Sequence, residues 1–154
     1  MRPLFRLAAF AAVAAVLAAC DLFTDVDEER FVGVVRYNNR ADSVITAADT
    51  VIRGVAFNVT VRTYHEGCSQ RAGAEVTYEG QNVTITPYDK RPTGNIVCPG
   101  FDPATRRLDR VVTLRLDAAG KAYLRVNGRA VDSAGNDTGE ATIVDSVFVR
   151  SPAA

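Results

Sequence analysis

The chain has 154 residues, with 18 basic and 18 acidic side chains and a single histidine. This balance provides no strong electrostatic field for nucleic acid, so we expect no nucleic-acid partner. A single histidine makes every serine-histidine or cysteine-histidine mechanism depend on His65. The length fits one domain that buries a core of its own.

The first 19 residues have the three-part layout of a secretory signal peptide. Arg2 and Arg6 form a positive start, an unbroken apolar run covers residues 7–17, and Ala18 and Ala19 provide small side chains before a cysteine. A membrane-spanning helix needs about 20 apolar residues, which is more than this run provides. We therefore predict that residues 1–19 are a signal peptide that is removed.

The end of this segment, Leu17-Ala18-Ala19-Cys20, resembles the lipobox of bacterial lipoproteins. The resemblance implies a diacylglycerol on the Cys20 thiol, cleavage just before Cys20, and a further acyl chain such as palmitate on the new amino group. One acyl chain binds a membrane only marginally, whereas two hold a protein firmly. The alternative is an ordinary signal peptide that leaves Cys20 as a free thiol. The lipobox also implies a location in the bacterial cell envelope, lipid-anchored to a membrane and exposed to the periplasm or the cell exterior.

Residues 20–30 form a charged segment without hydrophobic period or turn residues. We interpret it as a flexible acidic tether behind the lipidated Cys20, with a reach of about 35 Å when extended. The spacing of its carboxylates matches no calcium loop.

From Phe31 onward apolar and polar residues alternate with period two, which is typical of strands with one solvated face. The clearest alternating runs are 55–64, 74–79, 82–88, 108–116 and 121–127, with less regular β-rich runs at 31–37, 43–53 and 142–150. No stretch has a helical period. The sequence therefore predicts an all-β fold over residues 31–150, a single antiparallel β-sandwich of seven to eight strands, with a small barrel as the alternative. Residues 151–154 are expected to be a disordered tail.

Local turn signals refine the strand prediction. Glu79-Gly80-Gln81 indicates a tight hairpin between two strands, and Pro87 is expected to end its strand because proline donates no ladder hydrogen bond. Asn127-Gly128 permits a two-residue turn, but the strand after it would be very short. We favour one strand over residues 121–132 with a bulge or kink at this point.

A further motif, Asp132-Ser133-Ala134-Gly135-Asn136, resembles the Asp-x-Ala-Gly-Asn turn of bacterial immunoglobulin-like and fibronectin-type-III-like modules. In those modules the Asp and Asn side chains bond to the turn backbone and close the final hairpin. The resemblance implies an immunoglobulin-like sandwich and carries no activity with it.

Two cysteines remain after Cys20. Export places Cys68 and Cys98 in an oxidising compartment, and two thiols allow one intramolecular disulfide. The bridge would be worth about 3–4 kcal/mol on the chain-entropy model. A metal site built on these cysteines and His65 would lack a fourth ligand. We expect the disulfide, no metal and no cofactor.

No motif for catalysis is present: there is no Gly-x-Ser-x-Gly elbow, no phosphate loop and no second zinc-binding histidine. Basic residues gather at Lys90-Arg91 and at Arg106, Arg107 and Arg110, and we interpret both groups as solvated surface. The best candidate contact surface is formed by the loops around Cys68, residues 90–101 and residues 105–107. Four tyrosines could also line a recognition face: Tyr64, Tyr78, Tyr88 and Tyr123.

Together these features indicate a lipid-anchored envelope protein, not an enzyme, that acts as a binding or structural module. Its expected partners are the membrane, through the lipid on Cys20, and an envelope protein or polysaccharide. The alternative is a small-ligand carrier with a pocket between its sheets.

Overall fold

The structure, a computed structural model, describes residues 27–41, 43–102 and 106–152. Within these ranges the chain is all-β, as the sequence predicts, and contains no helix. The predicted signal peptide and Cys20 lie outside the described residues. The ten strands are β1 (Glu28–Val32), β2 (Val34–Tyr37), β3 (Ile45–Thr46), β4 (Thr50–Ile52), β5 (Ala56–Tyr64), β6 (Gln70–Glu79), β7 (Asn82–Pro92), β8 (Arg107–Arg115), β9 (Gly120–Val131) and β10 (Asp137–Arg150).

The strands form one curled, mixed sheet with the shape of a half-barrel. Long antiparallel pairs, β6 with β7, β5 with β8 and β9 with β10, provide most of the ladder. Their inward side chains, together with those of β2, build a single buried apolar cluster. It includes Val35, Val59, Val61, Val83, Ile85, Leu114, Leu124, Val126 and Val147.

The sheet differs from the predicted one in strand number and in direction. It has ten strands among the described residues where seven to eight were expected, and three of its pairings are parallel: β7 with β9, β2 with β9, and β4 with β10. An entirely antiparallel sheet is therefore the wrong description. Alternation of apolar and polar residues indicates which residues form strands, but it does not indicate which strands pair when a long connection separates them.

The first strand begins earlier than predicted. Glu28, Glu29 and Arg30 belong to β1 and pair with Pro92, Arg91 and Lys90 of β7. These residues were expected to lie in the tether. Because they are fixed in the sheet, the segment between Cys20 and the fold ends at Asp27, which shortens the reach of the predicted tether.

Two neighbouring strands of the sheet, β7 and β9, diverge, and we call the gap between their diverging parts the fork. β1 and β2 fill this fork. β7 and β9 run side by side over residues 82–85 and 123–126 and then diverge. β1 runs along the far part of β7, the chain turns at Gly33, and β2 runs along the far part of β9. At the tip, the Gly33 N–H donates to Pro87 O at 2.8 Å, and Gly33 O accepts from Arg129 N at 3.0 Å.

The fork explains why Pro87 does not end its strand. β7 continues to Pro92, because Pro87 lies between the last residue paired with β9 and the first residue paired with β1. Pro87 has no N–H to donate, and at this position no neighbouring strand needs a hydrogen bond from it. The predicted hairpin at Gly80-Gln81 is confirmed, with Gly80 at φ +62°, and residues 120–131 form one strand through Asn127-Gly128.

Two glycines permit the close approach at the fork. A Cβ on Gly33 would lie 2.6 Å from Thr63 Cγ2 and 2.9 Å from Asp89 Oδ2. A Cβ on Gly128 would lie 2.5 Å from Val35 Cγ1 and 2.7 Å from Gly33 O. Backbone and side chains therefore pack here at distances that no other residue type allows.

We expect Gly33→Ala to lower the free energy of unfolding by about 1–3 kcal/mol, because the added methyl group overpacks the fork. Gly100→Ala is the matched control, since a Cβ there meets nothing within 4 Å. Urea denaturation of both variants measures the difference. Equal stability of the two variants would show that the fork is not tightly packed.

Candidate functional site

The loops predicted as a contact surface meet at one end of the fold. The Cys68–Cys98 disulfide is present and joins two of them. The Gly67 N–H donates to Pro99 O at 2.7 Å, and Arg106 Nη1 donates to the same oxygen at 3.1 Å. We call residues 65–69, 93–102 and 106 the disulfide end. Lys90 and Arg91 belong to β7 instead, Arg107 begins β8, and Thr105 lies outside the described residues.

The chain enters the fold at the disulfide end. Asp27, the first described residue, accepts hydrogen bonds through its carbonyl from the Thr93 N–H at 2.7 Å and the Thr93 hydroxyl at 2.8 Å. β1 then runs away from this end, alongside the last residues of β7. Asp27 therefore lies next to the disulfide loop.

An exposed apolar tip stands at the disulfide end. Val97 is 95% exposed and Ile96 is 49% exposed, directly before the bonded Cys98. The Ile96 N–H donates to Gly94 O at 2.9 Å, which tightens the turn that presents them. Large apolar side chains exposed this far at a disulfide-held turn are unfavourable in water.

His65 lies in this region and is held by the backbone. Its N–H donates to Arg106 O at 3.2 Å, and its Nδ1 lies 2.5 Å from Glu66 O. Beside it is a cavity of about 150 Å³ bordered by Tyr64, Glu66 and Ser69 among others. The described residues contain no group of three histidine, cysteine, aspartate or glutamate side chains placed to hold a metal ion.

The basic residues Lys90 and Arg91 are paired with acids. Lys90 Nζ lies 2.7 Å from Glu28 Oε2, and Arg91 Nη2 lies 3.2 Å from Glu29 Oε2. Arg91 also approaches Glu66 at 3.5 Å. These contacts join β1 to β7 and neutralise the charge at this point.

Arg110 was predicted to be solvated surface, and this prediction is wrong. It is 6% exposed and forms an ion pair with Asp89, which is fully buried. Arg110 Nη2 also donates to Thr63 Oγ1 at 2.9 Å, and its Nη1 donates to the carbonyls of Tyr88 at 2.8 Å and Gly73 at 3.1 Å. One guanidinium therefore connects β5, β6, β7 and β8.

The sequence contains the signal that locates this pair. Asp89 has the same parity as Val83, Ile85 and Pro87, and Arg110 has the same parity as Val112 and Leu114. Period two places both charges on the apolar faces of their strands. Opposite charges at two such positions indicate a buried pair.

Burial raises the pKa of the Asp89 carboxyl above its ordinary value, and the charge of Arg110 offsets part of this rise. Two atoms of the pair, Asp89 Oδ2 and Arg110 Nε, have no hydrogen-bond partner. Asp89 Oδ2 faces Gly33 at the tip of the fork. The pair is therefore costly to desolvate, and each member depends on the other.

The Asp132 side chain bonds to the turn backbone, as its sequence motif implies, whereas the Asn136 side chain bonds to the Asp132 carboxylate and not to the backbone. Asp132 Oδ1 accepts from the N–H groups of Ala134 and Asn136, each at 2.9 Å, and Oδ2 accepts from Asn136 Nδ2 at 3.0 Å. Gly135 adopts φ +87° and packs near Phe101. The turn joins β9 to β10 and lies beside the disulfide end.

The four tyrosines do not share one face. Tyr64 is buried and packs 6.1 Å from the ring of Tyr37, whereas Tyr78 and Tyr123 are 50% and 40% exposed. Tyr88 lies under Arg30 and donates to Glu75 at 3.3 Å. A common tyrosine recognition surface is therefore not formed.

A groove of about 490 Å³ lies at the fork, bordered by Asn127, Gly128 and Thr142 among others. It is a surface depression, and the region inside the curled sheet is filled by the apolar cluster. No helix of the described residues is long and apolar enough to cross a membrane. Comparisons of the chain with protein-family models, with curated proteins and with solved structures found no match.

Replacing Arg110 by Met should lower the free energy of unfolding by about 3–5 kcal/mol, because the Asp89 carboxylate is left buried without its partner. The combined Asp89→Leu and Arg110→Met variant should lose less than Arg110→Met alone, since no charge remains to desolvate. Arg115→Ala is the control: its pair with Asp117 is exposed, and such pairs are worth about 0–1 kcal/mol. Similar losses for Arg110→Met and Arg115→Ala, measured by urea denaturation, would contradict the burial of the pair.

The Asp132 turn should make stability depend on pH. Hydrogen bonds from the Asn136 side chain and backbone lower the pKa of Asp132. Its contribution to stability is therefore complete above the unfolded pKa of about 3.9 and is lost as the pH falls through the folded pKa. Asp132→Asn should be less stable than the parent protein at pH 7, and this difference should shrink below about pH 4.

Ser133→Ala is the matched control for this measurement, because it changes the same turn without removing an ionisable group. Its difference from the parent protein should be the same at every pH. A pH-independent difference for Asp132→Asn as well would show that the carboxylate is not selectively stabilised by the turn.

Proposed function

We propose that this chain is a lipid-anchored protein of the bacterial envelope whose β-domain is a non-catalytic binding or structural module. The observation that carries the proposal is the gathering of the disulfide-linked loops at one end of a well-packed sheet, next to the point where the chain enters the fold. Loops held on a rigid β-scaffold commonly provide recognition surfaces.

Two sequence features support the anchor and the location. Leu17-Ala18-Ala19-Cys20 follows a positively charged start and an apolar run, as in bacterial lipoproteins. The Cys68–Cys98 disulfide is consistent with this, because disulfides persist in oxidising compartments outside the cytosol. Both features support the proposal that the domain lies on the outer side of the membrane that holds the lipid.

We further propose that the fold is an immunoglobulin-like sandwich in which the curled sheet folds over on itself. In this arrangement β5 and β8 form one layer, and β6, β7, β9 and β10 form the other. The Asp132 turn between the last two strands supports this assignment, since the bonds from the turn backbone to the Asp132 carboxylate match the motif of immunoglobulin-like modules.

The proposal includes no catalytic activity. His65 is the only histidine, and its Nδ1 is directed at the backbone oxygen of Glu66. The small-ligand carrier, our alternative from the sequence, needs an apolar pocket between layers. The filled apolar cluster gives that alternative no supporting observation.

Mass analysis of the protein from native envelopes should find the mature chain beginning at Cys20 with covalent lipid, and the protein should partition into the detergent phase. Cys20→Ala should abolish lipid attachment and move the protein to the aqueous phase, because no acyl chain remains to bind the bilayer. The double variant Cys68→Ser and Cys98→Ser, which removes the other two cysteines, should keep the lipid.

An unmodified thiol at Cys20 in native material would refute the anchor. The same preparation tests the binding role: crosslinking in intact envelopes should yield discrete adducts at the disulfide end. Their absence at every described loop would count against a binding module.

A further inference from the structure

We propose that the apolar tip formed by Ile96 and Val97 inserts into the interfacial region of the phospholipid bilayer that holds Cys20. The inference rests on the lipid anchor proposed above and adds to it an orientation of the domain. It assigns the disulfide end as the membrane-facing surface and the bilayer itself as the partner of that surface.

The chain enters the fold beside the tip. Asp27 is hydrogen-bonded to Thr93, three residues before Ile96. Cys20 precedes Asp27 by seven residues, which span at most about 25 Å when fully extended. The tip therefore lies within reach of the bilayer surface whenever Cys20 is anchored there.

The opposite end of the domain lies far from the tip. β7 runs from Asn82 to Pro92, so the Gly80-Gln81 hairpin lies about 30 Å from the disulfide end. The hairpin contacts the neighbouring turn through Gln81 Nε2, which donates to Ala119 O at 2.8 Å. We call the Gly80-Gln81 hairpin and the turn at Ala119 the distal end. Because the tether joins the domain at the opposite end, the distal end is directed away from the lipid.

The tip is apolar and exposed to water. Val97 is 95% exposed and Ile96 is 49% exposed, and transfer of either side chain out of water is favourable. Tethering makes the contact intramolecular, so a small apolar surface is sufficient where it would fail in a free protein. The Cys68–Cys98 bond holds the tip in place, which reduces the entropy lost on insertion.

Two of the acids near the chain entry are paired: Glu28 with Lys90, and Glu29 with Arg91. Asp27 adds an exposed carboxylate at the entry itself, which favours a zwitterionic over an anionic bilayer. The apolar side chains therefore carry the contact with zwitterionic lipid, and the affinity for such lipid should depend little on salt. Vesicles of zwitterionic phosphatidylcholine are the appropriate probe.

The test uses the absence of tryptophan from the sequence, which makes one introduced Trp a unique reporter. The lipidated chain carrying Val97→Trp is reconstituted into phosphatidylcholine vesicles with lipid brominated near the headgroup. Ala118→Trp, at the distal end, is the matched control. We expect blue-shifted emission and quenching several-fold stronger for Val97→Trp than for Ala118→Trp, unchanged by salt.

Because Trp itself favours membrane interfaces, a second measurement keeps the native side chains. Phosphatidylcholine with a photoreactive acyl chain is crosslinked to the parent lipidated protein. Adducts should concentrate in residues 94–98 and be absent from residues 117–119. The variant with Ile96→Ser and Val97→Ser should lose most of these adducts while remaining bound to the vesicles through its lipid.

The outcomes separate the two proposals. Vesicle-bound protein with equal, weak quenching at Val97→Trp and Ala118→Trp would overturn the insertion of the tip and leave the lipid anchor intact. Equal crosslinking of both ends would do the same. Failure of the parent protein to float with vesicles, with no lipid in its mass, would refute the anchor and the insertion together.

Discussion

The buried ion pair between Asp89 and Arg110 constrains the rest of the fold. It places two charges inside an apolar cluster, where each is tolerated only in the presence of the other. A slip of β7 or β8 by one residue would move one charge to the outer face and leave its partner buried alone. The pair therefore fixes the register of these strands more strictly than valine and leucine packing would.

The pair and the glycine fork form one structural unit. Gly33 contacts Asp89 Oδ2, Pro87 and Arg129, so the tip of the fork covers the buried carboxylate. Its bonds hold the far parts of β7 and β9 apart at a fixed distance. β1 runs along the far part of β7 beside this fork, and the Asp132 turn follows the far part of β9.

Local sequence pattern predicts strands, a hairpin and the disulfide, but it does not predict which strands are neighbours in the sheet. The alternation in residues 55–64 and 82–88 locates strands, Gly80-Gln81 locates a hairpin, and Cys68 with Cys98 allows one disulfide. The parallel pairing of β7 with β9 depends on which distant strands meet, and no short window encodes that.

The positions of the basic residues also depend on more than their clustering in the sequence. Arg106, Arg107 and Arg110 look alike as a cluster in sequence, yet only Arg110 lies within β8 at the parity of its inward residues. The alternation of Arg110 with Val112 and Leu114 indicates a buried position, which the clustering of basic residues hides. Asp132 was interpreted through a contiguous motif whose bonds are local, and for that reason its geometry follows from sequence.

Native-state hydrogen exchange tests most directly whether the fork and the ion pair act as one cooperative unit. The amides of Gly33 and Arg129 are both hydrogen-bonded at the fork. If the fork and the ion pair form one cooperative unit, both amides exchange only through global unfolding, with the same free energy and the same urea dependence as the slowest core amides. Exchange of these two amides at a much lower free energy, independent of urea, would show that the fork opens by itself and would contradict this cooperativity.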